Sequence, residues 1–157
     1  MTLSDGVWQI MARTNHALAR VRQKELHQYG INMNDAIVLF TVIRLKDAAS
    51  PTAISRQLFW EPHTVSAQLK TMEKKGLIRR VKDQKRQNLI WVEITEKGLE
   101  AYRRSSLHKS TRKMMSALTK EEQLQLWALL ARIRQKTMKE LGWDNLEPFP
   151  PSDPNDL

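Results

Sequence analysis

Cysteine is absent from this 157-residue chain, glycine occurs only five times, and no apolar run approaches the ~18–20 residues that a membrane span needs. The first absence excludes disulfides, thiolate metal sites and thiol redox sensing. The second leaves little room for a glycine loop that cradles phosphate. The third, with a mean hydropathy of −0.54, describes a soluble chain with no membrane partner. The opening MTLSDGVW carries an acid and lacks a basic-then-apolar pattern, so no export signal is expected and the cytoplasm is the default location. The four histidines, His16, His27, His63 and His108, are dispersed without the paired spacing of a metal site. No serine or carboxylate stands in a sequence that makes a nucleophile. The chain is therefore not expected to be an enzyme, and nothing in it calls for a cofactor.

What the chain has in excess is positive charge, with 26 Lys and Arg against 17 Asp and Glu. The last 18 residues (140–157) hold five of the acids and none of the bases, so the first 139 carry a net charge of +14. A field of that sign attracts polyanions and speeds their association, without choosing among DNA, RNA, an acidic protein and an anionic membrane surface. Apolar residues make up 41% of the chain, enough for a real core.

Helical periodicity dominates. Ser4 or Asp5 can cap a first helix carrying Val7, Met11, Leu18 and Val21, with Gly30 as a left-handed stop. Asn32 and Asp35 then open the run AIVLFTVIRL, which is apolar nearly all round and reads as a buried central helix. Ser50-Pro51 places a capping hydroxyl before a proline at the first helical position. It starts a short helix through Leu58, and Pro62 can open another that runs to about Lys75 and stops at Gly76. Val65, Leu69 and Met72 form the buried stripe of that second helix. Two short helices joined by a tight turn are the sequence form of a helix-turn-helix. Two β-branched runs follow, Leu77–Val81 and Leu89–Ile94, separated by polar residues 82–88, as in a hairpin wing. Thr95 begins a further helix, and Thr119 with Glu122 makes a capping box for a long amphipathic one. Four prolines within residues 148–154 forbid regular helix in the tail.

Three blocks at characteristic separations make the chain similar to the MarR family of regulators. These are Thr64-Val65-Ser66, then Met72-Glu73-Lys74-Lys75-Gly76-Leu77-Ile78-Arg79-Arg80, then Ile94-Thr95-Glu96-Lys97-Gly98. The resemblance covers roughly residues 30–106, and the flanking helices by pattern. It implies a mainly α fold with a small β-hairpin wing: a winged helix-turn-helix flanked by N- and C-terminal dimerisation helices. The expected organisation is an N-terminal dimerisation helix (1–30), the winged domain (31–106), C-terminal dimerisation helices (107–142) and a Pro-rich acidic tail (143–157). The resemblance also implies regulation by a small-molecule effector or chemical signal. The chain departs from the family pattern at Phe59, where glycine is usual in the turn, and at Glu61, where a capping serine is usual. Ala67 stands where arginine is frequent, and Arg86-Gln87-Asn88 replaces the usual wing tip.

With the stripe at Val65, Leu69 and Met72 turned inward, about 100° per residue places His63, Ala67, Lys70 and Lys74 opposite, flanked by Thr64, Ser66 and Thr71. A helix about 10–12 Å wide fits a major groove about 12 Å wide, so this face can reach base edges of double-stranded DNA. In the wing, Lys82, Lys85, Arg86 and Gln87 are candidates for backbone or minor-groove contact. Ser50 and Thr52 can bind a phosphate at a helix N-terminus, although capping explains Ser50 equally well. One of Arg79 and Arg80 can reach phosphate while the other pairs with Asp83 or Glu93. Surplus apolar surface predicts a homodimer, with Trp8, Met11, Leu126, Trp127, Leu130 and Ile133 at its interface. Trp8, Met11, His16, Met33 and Ile37 are the candidate lining of an effector pocket. These expectations describe a sequence-specific DNA-binding regulator, a repressor in the first instance. The alternative is a winged-helix interaction module whose basic surface takes a protein or RNA; for RNA, Trp60 and Trp91 are the candidate stacking residues.

Overall fold

The computed structural model of the chain describes residues 1–83, 89–143 and 150–156. Among them are seven α-helices and one two-stranded antiparallel sheet. In chain order these are α1 (Leu3–His27), α2 (Met33–Leu45), α3 (Pro51–Leu58), α4 (Pro62–Lys74), β1 (Ile78–Lys82), β2 (Ile90–Ile94), α5 (Glu96–Ser105), α6 (Lys109–Met115) and α7 (Lys120–Glu140). The chain divides into two compact units, Met1–Thr111 and Arg112–Leu157. Helix α1 thus belongs to the same unit as the winged part. No helix among the described residues is long and apolar enough to cross a membrane.

Local chemistry sets most boundaries. Helix α1 starts at least two positions earlier than expected, because Thr2 and not Ser4 or Asp5 is the cap: its hydroxyl accepts from the Asp5 N–H while the Asp5 carboxylate accepts from the Thr2 N–H. Asn32 and Asp35 make the same reciprocal box for α2, and Thr119 and Glu122 make it for α7. Helix α4 ends at Gly76, whose φ of 71° lets the Leu77 N–H return to the Met72 carbonyl. Side-chain character alone misleads in α2. Its buried residues include the polar Asp35 and Thr41, whereas Ile37 is 36% exposed and Ile43 half-buried. The helix is therefore one-sided rather than buried all round.

The core of the first unit joins Leu26 of α1, Val38 and Leu39 of α2, Ile54 of α3, Leu69 and Met72 of α4, and Val92 of β2. The hairpin pairs Ile78 with Ile94 and Lys82 with Ile90. It is anchored from outside by the Val92 N–H, which donates to the Ala49 carbonyl just before α3. Its expected alternation is muted: Val92 is buried, and the other four residues of β2 are all half-exposed. Helix α5 approaches β1 so closely that a Cβ at Gly98 would stand 2.0 Å from the Leu77 carbonyl oxygen.

A buried ion pair joins α1 to the corner between α5 and α6. Arg22 and Glu25 are 2.6 Å apart, and both are buried. Arg22 also donates to the Ser105 carbonyl at the end of α5. Glu25 accepts from the Lys109 and Ser110 N–H groups and the Ser110 hydroxyl at the start of α6. A cation thus meets a helix C-terminus and an anion meets a helix N-terminus, as the backbone dipoles favour. Burial pushes the Glu25 carboxyl up, but the Ser110 hydroxyl, Arg22 and the Ser110 N–H together outweigh it and bring it down to about 2.

Two predictions follow from these contacts. Gly98→Ala should lower stability by about 1–3 kcal/mol or more, because the obstacle is backbone that cannot swing away; thermal unfolding measures this. Because the folded value of Glu25 lies below its ordinary 4.5, the folded state binds fewer protons between the two values. Its stabilisation is complete above pH 4.5 and lost as pH falls toward 2. Glu25→Gln should therefore cost about 2–3 kcal/mol at neutral pH, with the difference from the parent chain closing across that acid range. A difference independent of pH would contradict the charge assignment.

Candidate nucleic-acid interface

Helix α3 opens at Ser50, whose hydroxyl accepts from the Ala53 N–H, with Pro51 next. It closes at Phe59, which adopts a left-handed φ of 55° where glycine would be unstrained. That conformation costs an L-residue about 1–2 kcal/mol. The turn is held from within: the Trp60 N–H donates to the Ser55 carbonyl and the Ser55 hydroxyl to the Trp60 carbonyl. Glu61 occupies the cap position of α4 without a side-chain capping bond, and Pro62 supplies the first helical residue.

Three devices set the roll of α4. Val65, Leu69 and Met72 are fully buried and turn one stripe inward. On one flank, Gln68 Nε2 and Lys75 Nζ reach the buried Asp35 carboxylate of α2, at 2.8 Å and 2.6 Å. On the other flank, Glu73 accepts from the Arg80 backbone N–H at 3.0 Å and from its guanidinium at 2.6 and 2.9 Å, which ties α4 to β1. The Arg80 guanidinium and N–H hold the Glu73 carboxyl below its ordinary value. What remains outward is His63, Thr64, Ser66, Ala67, Lys70, Thr71 and Lys74, all exposed. The seven residues expected to face a groove thus share one side of one helix. The Thr71 hydroxyl is turned back onto the Ala67 carbonyl.

The segment 29–87, which begins just before α2 and ends beyond β1, matches the sequence model of the MarR family. Over that segment the chain is similar to the MarR family. No curated protein sequence matches it. Among solved structures, the organohalide-sensing transcriptional regulator RdhR-CbdbA1625 in its 2,4-dichlorophenol-bound form aligns with a TM-score of 0.82 at 25% identity, over 88% of this chain and 83% of that one. Its ligand-free form gives 0.82 at 26% identity over the same shares. The MepR–DNA complex of S. aureus aligns with a TM-score of 0.75 at 22% identity, over 87% of this chain and 98% of that one. At that identity the likeness is one of fold.

Lys82 ends β1 and is exposed. Lys85, Arg86 and Gln87 lie outside the described residues. Asp83 accepts from the Trp91 indole, and its N–H donates to the Leu89 carbonyl. Both arginines of β1 are engaged, Arg79 with Glu93 and Arg80 with Glu73, so Asp83 is not the partner of either. Thr52 is exposed beside Ser50, which is half-buried and committed to its cap.

Of the five candidates for an effector pocket, His16 and Met33 share one crevice of about 370 Å³ with Arg20, Gln23, Lys24 and His27. Trp8, Met11 and Ile37 do not line it, and Trp8 is 67% exposed. The cationic wall was missed because its residues read only as the polar side of α1; their spacing of three and four was the available signal. Among the described residues no group of His, Cys, Asp and Glu could hold a metal ion. On α7, Leu126, Leu130 and Ile133 are exposed, while the Trp127 indole donates to the Ser152 carbonyl and Arg134 to the Pro150 carbonyl. The tail therefore covers the flank beside the apolar stripe.

Ser50→Ala should cost about 1 kcal/mol of folding stability, the worth of a side-chain cap. Ser50→Gly should cost only a few tenths. Equal losses for the two, measured by denaturant unfolding, would assign the hydroxyl some role other than capping.

Proposed function

We propose that this chain is a transcriptional regulator, a homodimeric repressor that reads a near-palindromic operator in duplex DNA, with α4 in the major groove and the wing on its flank. The observation that carries this reading is the outward face of α4, a groove-sized set of polar and cationic side chains held in a fixed roll. Lys70, Lys74 and Lys82 supply phosphate attraction, while His63, Thr64 and Ser66 supply directional donors and acceptors and Ala67 suits a thymine methyl. Dimerisation is supported by apolar stripes left exposed on α1 (Leu3, Val7, Ile10) and α7 (Leu126, Leu130, Ile133). Met11, half-buried, borders the first stripe, and Trp8 is exposed on another face of α1. Two-fold pairing would set the two α4 helices about 34 Å apart.

The crevice on the opposite side of α1 supports release by an anionic, partly apolar small molecule. Arg20, Lys24, His16 and His27 face the charge, and Met33 faces the apolar part. RdhR-CbdbA1625, solved with 2,4-dichlorophenol, and S. aureus MepR, solved on DNA, are fold relatives consistent with both halves of this proposal. Such a repressor works in the cytoplasm.

Selection from a random duplex library, followed by anisotropy titration across salt concentrations, tests it. The expected result is an inverted repeat bound on the order of 10³-fold above random DNA. Lys70→Ala and Lys74→Ala should each weaken binding and flatten the salt slope by about one. Weak binding with no enriched sequence would sink the operator reading and point to a protein or RNA partner.

A further inference from the structure

Asp35 has no exposed surface, yet both its carboxylate oxygens are in use. Oδ2 accepts from the Asn32 N–H at 2.9 Å and from Lys75 Nζ at 2.6 Å; Oδ1 accepts from Gln68 Nε2 at 2.8 Å. One side chain thus closes the capping box of α2 and grips α4 at two points about two turns apart. Points so spaced on one flank fix both the axial position and the roll of a helix, which an apolar stripe alone does loosely. The base of the grip is itself held from the far side. The Met33 N–H, in the first turn of α2, donates to Gln23 Oε1 of α1 at 3.0 Å. Gln23 lines the cationic crevice.

We propose that Asp35 is a positioning residue for the DNA-reading helix: it sets the placement of α4, and with it the chain's discrimination among duplex sequences, without touching DNA itself. A buried carboxylate has no water to fall back on, so losing either α4 partner leaves charge or polarity uncompensated and shifts the balance toward a displaced helix. Lys75 then acts inward, unlike Lys70 and Lys74 on the outward face. The discrimination part of the proposal rests on the DNA reading above.

The test is a double-mutant cycle on the full chain using Asp35→Asn, Lys75→Met and their combination, with Gln68→Leu and Lys75→Arg as further arms. Two quantities are read: amide hydrogen exchange of α4 relative to α7, and affinity for the selected duplex relative to a random one of equal length. Each of Asp35→Asn, Lys75→Met and Gln68→Leu should speed exchange in α4 on the order of tenfold and cut discrimination similarly. The combined Asp35→Asn, Lys75→Met variant should be no worse than the worse single change. Lys75→Arg, which keeps the charge, should restore most of both. If Asp35→Asn fails to fold, the Lys75 and Gln68 arms decide. Unchanged α4 exchange, strictly additive effects, or exchange rising equally in α7 would overturn the proposal. Should the parent chain select no duplex while α4 exchange responds as expected, the operator reading fails and the positioning role stands.

Discussion

Val65, Leu69 and Met72 leave α4 a single way to lie. Once that stripe enters the core, the remaining faces of the helix acquire their roles by geometry: two flanks for pinning and one side for solvent or a partner. The flanks are used symmetrically, by Asp35 from α2 and by Arg80 from β1 through Glu73. A roll of one residue, about 100°, would exchange an exposed side chain of α4 for a buried one. Packing selects the face, and the hydrogen-bonded flanks narrow what packing leaves loose.

The same economy of charge appears at the opposite end of the first unit. Arg22 and Glu25, one turn apart on α1, close the ends of two helices that follow one another in the chain. A buried ion pair is weak support when it only offsets its own desolvation. Here each partner has further hydrogen bonds that would otherwise be unmet, so removing either leaves helix ends as well as a charge unsatisfied. Most of the basic residues of this very basic chain remain on the surface, but Arg22, Lys75 and Arg80 are structural. Net charge overstates what is available to a polyanion.

Helix α1 divides its labour between halves and faces. Its first turns expose apolar side chains, its last turns enter the core at Leu26, and its cationic side walls a crevice with Met33. Through Gln23 and Met33 that crevice adjoins the first turn of α2, where Asp35 lies.

Features held within a few residues were legible from the sequence. Ser50-Pro51, Thr95 and the Thr119–Glu122 box announce helix starts through a side chain that reaches its own backbone three residues on. The Val65, Leu69, Met72 spacing identifies the inner face of α4 by period alone. Features that join distant residues were not legible. Asp35 finds Gln68 and Lys75 at 33 and 40 residues' remove, and Glu25 finds Ser110 at 85. Residue type even pointed the wrong way in α2, where Asp35 is buried and Ile37 exposed. The sequence by itself determined most of the elements and the inner face of α4; the tertiary structure decided which charges are spent inside and which remain for a partner. The reason is physical: a local hydrogen bond needs only chain geometry, whereas burying a charge is tolerable only where the fold delivers its partner.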